Sequence, residues 1–335
     1  MKKAAIVGCG GIAAVHAGVL DHFEGADLIA CADIKPERAK AMAEKYGLHA
    51  YESLTEMLDQ EQVEVLHICT PHYLHVPMAA EAHRRGIHVF TEKPPAISRE
   101  QQKELAALAE DGGARIGVCF QNRYIDAALK LKSLVEDGEF GKILGIRGFV
   151  TWYRDEAYYV ESGWRGKLAT EGGGALINQS IHTMDLMNFF MGRPRSVEAI
   201  CQNRHLKGVI EVEDTVDALI DYSGVPGVFF ATTAYGVNSP VLIEISGEKM
   251  TARMEETEVT IRRPGKPAEH LDFNRASVLG KGYWGAGHDA CIRDFYGAVE
   301  EGRPFKNDVA SIKNTLDLML SVYESAAADG APVML

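Results

Sequence analysis

The sequence predicts an α/β chain: an N-terminal doubly wound parallel sheet followed by a C-terminal α+β domain with a large, mainly antiparallel open sheet. Three observations predict it. As far as Phe120, short apolar runs alternate with helix-forming segments, the grammar of βαβ units. A glycine-rich turn closes the first of those runs. After Asn122 the runs lengthen and alternate apolar with polar residues, as hairpin-linked strands with one open face do. The length of 335 residues suits two domains, which we expect at 1–121 and 122–335.

The first strand, Lys3 to Val7, runs into Gly8-Cys9-Gly10-Gly11-Ile12-Ala13 and a helix ending near Phe23. This G-x-G-x-x-A pattern between a strand and a helix is the dinucleotide fingerprint. Gly8 permits the tight turn, Gly10 lets a pyrophosphate approach the backbone, and the helix opening at Gly11 and Ile12 offers free N–H groups. A second strand, Ala26 to Ala32, ends on Asp33, 23 residues past Gly10, where an acid would hold ribose hydroxyls. The plainer reading of Asp33 is a helix cap before Pro36. Helices follow at Pro36 to Tyr46 and, capped by Ser53, at Leu54 to Leu58. Strand Val65 to Ile68 exits through Cys69-Thr70-Pro71-His72 into a helix from Val76 to Arg85. Strand His88 to Thr91 comes next, then a helix to Asp111 opened by Ser98 and Gln101 as a capping box, then strand Ile116 to Phe120.

Thr91-Glu92-Lys93-Pro94-Pro95 closes the fourth apolar run in an unusual way. Its prolines fix φ and remove donors, so the chain leaves the sheet on a rigid course. Lys93 is thereby held at the carboxyl end of a strand, the edge where open parallel sheets bind ligands. Thr70-Pro71 exits at the same edge as the glycine turn.

Beyond Asn122, a helix from Ile125 to Asp137 leads into strand-like runs at Lys142–Tyr153, Ser196–Asn203, Thr215–Tyr222, Gly227–Ala234, Val241–Ser246, Met250–Arg253 and Glu258–Arg262. Helices at Ala286–Glu300 and Ala310–Ala328 finish the chain. A sheet of this size with a second apolar face favours burying it against a copy of itself, so a homodimer or homotetramer through the C-terminal sheet is expected. Within this half, Gly172-Gly173-Gly174 precedes Asn178 and His182, which share one face if a helix has begun. A histidine there can exchange a proton with a substrate hydroxyl near neutral pH.

Composition narrows the partners. A formal charge of -12 argues against nucleic acid and anionic membrane, both of which demand a basic surface. The opening residues are neither a signal peptide nor a membrane span, since Gly8 interrupts the apolar run after Ala4 to Val7. Six cysteines form no CxxC pair and read as reduced cysteines of a cytosolic protein. No metal is expected.

Together these residues resemble the glucose-fructose oxidoreductase and inositol dehydrogenase family of two-domain nicotinamide enzymes, whose first domain is a Rossmann fold. The resemblance rests on the fingerprint, Asp33, Thr70-Pro71 with His75, Glu92-Lys93-Pro94, Arg123, the Gly172 to Asp185 block, and the tail from His288 through Phe295 to Ser325. It implies that Lys93 and His182 are catalytic, with hydride passing between a sugar or polyol carbon and nicotinamide. It implies cofactor contacts at Gly8, Gly10, Gly11, Ile12, Asp33, Thr70, Pro71, His72, His75, Glu92 and Lys93. Substrate contacts are implied at Lys93, Arg123, Trp164, Arg165, Asn178, His182 and His288. The cofactor is expected to be NAD rather than NADP, because the Asp33 carboxylate would repel a 2′-phosphate, although Lys35 and Arg38 follow closely. Asn178 stands where relatives often have aspartate, Ser180 where they have glycine, and His72 where asparagine is common. Asn178 can orient a hydroxyl but cannot take a proton, so acid-base work falls on His182 and Lys93. The expectation is a cytosolic NAD(H)-dependent oxidoreductase acting on a secondary hydroxyl or keto carbon of a sugar, sugar derivative or cyclitol. The alternatives are a glycosidase-type enzyme that uses tightly bound NAD for transient sugar oxidation, and a non-catalytic cofactor-sensing regulator.

Overall fold

The computed structural model describes residues 1–273 and 287–335. Ala286, the expected start of a helix, and Trp284 beside it lie outside the described residues. The chain forms two compact units, one of Met1–Gln121 with Ser277–Ile312 and one of Asn122–Ala276 with Lys313–Leu335.

The strands of the first unit are β1 (Lys2–Val7), β2 (Ala26–Ala32), β3 (His49–Tyr51), β4 (Val65–Ile68), β5 (His88–Thr91) and β6 (Ile116–Val118). They pair in parallel in the order β3-β2-β1-β4-β5-β6. Ala4, Ala5, Ile6, Leu66, Ile68, Val89 and Phe90 are wholly buried, which is why these strands read as continuous apolar runs. The connecting helices are α1 (Gly11–Leu20), α2 (Pro36–Tyr46), α3 (Leu54–Gln60), α4 (His75–Arg84) and α5 (Arg99–Glu110). Their ends follow local chemistry. Pro36 opens α2 and Gly47 closes it at φ 71°, while Ser53 caps α3. Ser98 accepts from the Gln101 N–H, and the Gln101 side chain reaches back to the N–H of Ile97, one residue further than a capping box requires. The order of strands reverses beside β1, which makes the carboxyl edge at β1 and β4 the switch point of the sheet.

The second unit opens with α6 (Asp126–Glu136) and β7 (Ile143–Thr151). Two short helices, α7 (Glu156–Val160) and α8 (Leu168–Glu171), precede a π-helical segment, Ala175–Ser180, and α9 (Ile181–Met191). Then come β8 (Ser196–Gln202), β9 (Thr215–Tyr222), β10 (Val225–Thr232), β11 (Leu242–Gly247), β12 (Thr251–Glu255), β13 (Glu258–Arg262) and β14 (Glu269–Asp272). Helix α10 (His288–Glu301) belongs to the first unit, where it packs on α1. Helix α11 (Lys313–Ala327) and β15 (Val333–Met334) complete the second. The nine strands run β14-β13-β12-β11-β7-β10-β9-β8-β15, antiparallel except where β10 lies parallel to β7. One face carries α11 on β8, α9 on β7 and α6 on β12. The other shows Ile200 at 51% and Leu219 at 59% exposure, with Val228 beside Leu219 and the rings of Phe149 and Phe230 6.4 Å apart.

Asn178 and His182 share a face if a helix has begun by Asn178, and the winding there is π-helical, so the spacing of four does not by itself set a shared face. Strands β3, β14 and β15 went unpredicted because they are short, and β3 and β14 are polar on most of their residues.

Candidate active site

In the first unit, Gly8 has φ 86° and no room for a side chain, because a Cβ would lie 2.7 Å from the Cys69 carbonyl oxygen. This close approach packs the glycine turn against the exit of β4. At Gly10 the space around an added Cβ is open, and Gly10 precedes α1 without any side-chain cap, whereas Ser53 and Ser98 cap α3 and α5. A helix N-terminus left with its N–H groups and positive dipole end uncapped, behind a glycine, fits a pyrophosphate. Asp33 accepts from the N–H of Cys9 at 2.7 Å and from that of Lys35 at 2.8 Å, which ties the acid at the end of β2 to the glycine turn. Asp33 does not cap α2, whose N-cap is Lys35 without a side-chain bond; its carboxylate closes a local turn with Lys35 and holds the glycine turn. Lys35 and Arg38 are exposed.

Thr70, Pro71 and His72 leave β4 at the same edge, His72 buried in a single 3-10 turn. His75 is buried between two carbonyls, with Nε2 2.8 Å from Thr70 O and Nδ1 2.7 Å from Pro94 O. It thus braces the loops after β4 and β5 against each other. Burial pulls its pKa down, against the pull of those two carbonyls and of Glu92. The Lys93–Pro94 peptide is cis, and Lys93 is half-buried beside a buried Glu92. His288, expected against the substrate, is buried at the first position of α10 with its ring 6.3 Å from that of His16.

The second unit gathers the remaining residues. Arg123 is buried and donates from Nε and Nη2 to both oxygens of Asp185, at 2.7 and 2.6 Å, while Thr315 donates to the same carboxylate. Its fork thus has a partner inside the fold. Arg165 lies 4.4 Å from the Tyr158 ring centre and 5.0 Å from that of Trp164, and Arg154 stacks on Tyr158 at 5.2 Å. The Tyr158 hydroxyl accepts from Gln179 at 2.7 Å. His182 is half-buried in the first turn of α9. Ser180 donates to the carbonyls of Ala175 and Leu176, which holds the π-helical segment closed just before it.

Two carboxylates that the sequence reading did not single out anchor this block. Glu171, wholly buried, accepts from the N–H of Gly166 and from the side-chain amide of Asn178. Burial pushes its pKa up to about 7, against these two bonds and nearby Arg165. Glu213 accepts from the N–H groups of Gly174 and Leu176, both at 2.9 Å, and from Tyr323. A Cβ at Gly174 would lie 2.0 Å from the Glu213 carbonyl oxygen and one at Gly173 2.0 Å from the Tyr323 hydroxyl, so these two glycines are a close packing site, while Gly172 closes α8 at φ 85°. The available signal was an acid standing directly before three glycines, and it reads equally as a helix end.

Residues 2–120 match the family described as an oxidoreductase family with an NAD-binding Rossmann fold, and residues 128–253 match the GFO/IDH/MocA C-terminal domain. The chain belongs to the GFO/IDH/MocA oxidoreductase family. Among solved members, the WlbA dehydrogenase of Bordetella pertussis, in complex with NADH and UDP-GlcNAcA, is 30% identical. That likeness covers 99% of this chain and 98% of that one, with a TM-score of 0.86. Bacillus subtilis glucose-6-phosphate 3-dehydrogenase is 32% identical over 189 residues, 56% of this chain and 53% of that protein, so the match spans about half of that relative. Levoglucosan dehydrogenase of Pseudarthrobacter phenanthrenivorans is 26% identical over 343 residues, 89% of this chain and 87% of that one. Membership in this GFO/IDH/MocA family makes the chain an NAD-binding oxidoreductase, and the uncapped α1 and open Gly10 are the features of its own fold that fit that cofactor. Among the described residues no helix is long and apolar enough to cross a membrane.

Proposed function

We propose that the protein is a cytosolic NAD-dependent dehydrogenase or reductase acting on a secondary hydroxyl or keto carbon of a sugar or cyclitol. The observation that carries this reading is Lys93 held at the carboxyl edge of the parallel sheet, one strand beyond the loop that packs on the glycine turn. Relatives named for glucose 6-phosphate, levoglucosan and a nucleotide-linked sugar acid support a sugar. Six free cysteines support a reducing compartment.

Bound NAD would supply the hydride acceptor. In the proposed reaction His182 takes the proton of the reacting hydroxyl, because its ordinary pKa lies nearest working pH. Lys93 donates a hydrogen bond to the oxygen on which negative charge develops. Asn178, its amide nitrogen committed to Glu171, orients a substrate hydroxyl without exchanging protons. Asp33 sets the cofactor preference: a 2′-phosphate about 4 Å from its carboxylate would cost ~4 kcal/mol at an effective dielectric near 20. Apolar Leu219, Ile200, Val228 and Phe230 on the open sheet face support assembly through that face into a homodimer or homotetramer.

The test is a screen of sugars, sugar phosphates and cyclitols with NAD, followed at the absorbance of the reduced cofactor. Net reduction supports the dehydrogenase. Release of an aglycone without net reduction replaces it with the glycosidase reading, and cofactor binding with neither outcome replaces it with a sensing role.

A further inference from the structure

Beneath the cofactor edge of the first unit, four buried side chains from different parts of the chain form one line. Glu92, just past β5, lies 3.0 Å from His16 Nε2 in α1. His16 Nδ1 lies 2.9 Å from His67 Nδ1 in β4, and His67 Nε2 lies 3.0 Å from the Tyr296 hydroxyl in α10. Both imidazoles are wholly buried.

With Glu92 ionised and His16 neutral, donor and acceptor counting gives this line a single polarity. Ionised Glu92 only accepts, so His16 must carry its proton on Nε2. Neutral His16 then accepts at Nδ1, so His67 carries its proton on Nδ1 and accepts at Nε2, and Tyr296 donates. The reverse sense at His67 needs either a protonated Glu92 or a doubly protonated His16, and in both cases the Tyr296 hydrogen turns away from His67.

We propose that Tyr296, His67 and His16 are positioning residues: a one-way hydrogen-bond chain that keeps Glu92 ionised and fixed, so that Lys93 works beside a buried anion. The proposal rests on the reading of Lys93 as catalytic. The Lys93 N–H itself donates to Glu92 at 3.2 Å. The titratable groups around Glu92 are His16 from α1, His67 from β4, Cys69 and His75 beyond β4, Lys93 beside it, Cys119 beyond β6 and His288 from α10. Protonation tendencies agree with the polarity. Burial opposes ionisation of Glu92, but the hydrogen bond from His16, with His288 and Lys93 nearby, holds its pKa well below the usual range. Burial keeps His67 neutral and Tyr296 protonated. His16, Glu92 and Cys119 also bring three metal-ligating atoms within 4.8 Å of one another, but both His16 nitrogens are already engaged in the chain.

Two substitutions separate polarity from bulk. In His67→Asn the amide nitrogen can replace Nδ1 as the donor to His16, whereas His67→Leu removes that donor and frees His16 to flip. Nitrogen-15 spectra of histidine-labelled protein are expected to show His67 protonated on Nδ1 and His16 on Nε2. The infrared band of a protonated carboxyl is expected to appear in His67→Leu and to be absent from the native protein and from His67→Asn. Loss of an adjacent anion makes an ammonium easier to deprotonate, so the alkaline limb of kcat/KM in His67→Leu moves to lower pH by about 1–3, the effect of one near charge. His67→Asn keeps the native profile. If His67→Leu does not fold, Tyr296→Phe is read instead, with the His67 Nε2 signal expected to move as its donor is lost while Nδ1 stays protonated. The spectra do not depend on turnover, so they stand even if Lys93 proves not to be catalytic. A charged His67, or one protonated on Nε2, overturns the chain. Correct tautomers with an unmoved limb in His67→Leu, or unchanged spectra in Tyr296→Phe, overturn its role.

Discussion

Raising the pH from 5 to 8 should weaken the native protein more than Glu171→Gln, and the size of the difference follows from the site. Glu171 is wholly buried, and its pKa is pushed up from 4.5 to about 7. A carboxyl whose folded pKa lies above its unfolded one contributes its full stability below the unfolded value. Between the two values the unfolded chain ionises while the folded one holds its proton, so stability falls as pH rises, and the loss is complete above the folded value. At about 1.36 kcal/mol per pH unit the interval is worth ~3 kcal/mol. For a unit of 150–250 residues that is about 6–12 °C in melting temperature. Glutamine does not titrate, so subtracting the variant's melting curve from the native one isolates this term from histidines that titrate in both. Scanning calorimetry at half-unit steps of pH should show the native-minus-variant difference falling by this amount between pH 5 and 8. A flat difference would refute the reasoning, since it would mean that Glu171 is already ionised in the folded protein at pH 5.

Three further outcomes are expected. Arg123→Ala leaves Asp185 buried without its fork and should cost about 3–5 kcal/mol, read as a lowered unfolding midpoint; a change within error would show that Thr315 and water suffice. The native enzyme should prefer NAD to NADP by at least ~10-fold in kcat/KM, partly relaxed in Asp33→Ser; equal use of both by the native enzyme would show that Lys35 or Arg38 serves the phosphate. Leu219→Asp, exposed on β9 of the open sheet face, should lower the solution mass measured by light scattering; an unchanged mass would move the interface elsewhere.

Much of the first unit was legible because its chemistry is local. A buried strand, a glycine turn and a helix cap each declare themselves within a few residues, which is how β1, the fingerprint, Asp33 and the Ser98 cap could be read. The edge position of Lys93 followed from the same grammar. What stayed hidden depends on contacts made across the fold. His16 sits among apolar residues of α1 and His67 among those of β4, and neither shows in sequence that the other is 2.9 Å away. Tyr296 reaches them only because α10 returns to the first unit from 229 positions beyond His67. Glu171 and Glu213 read as ordinary surface acids until the fold brings the N–H of Gly166 and the Asn178 amide to the first and the N–H groups of Gly174 and Leu176 to the second. The π-helical segment left no periodic trace, since Ser180 closes it by bonding back to its own carbonyls.

The most direct test of the account is a pair of measurements on Lys93→Ala: NAD affinity, and the rate of hydride transfer in a single turnover with a sugar the native enzyme oxidises. The glycine turn and Asp33 are untouched by this change, so the account predicts retained NAD binding with transfer slowed by roughly 10²–10⁴-fold, the range for losing a group that acts on a proton or a developing charge. Weakened NAD binding with normal transfer at saturation would contradict it and would make Lys93 a cofactor anchor.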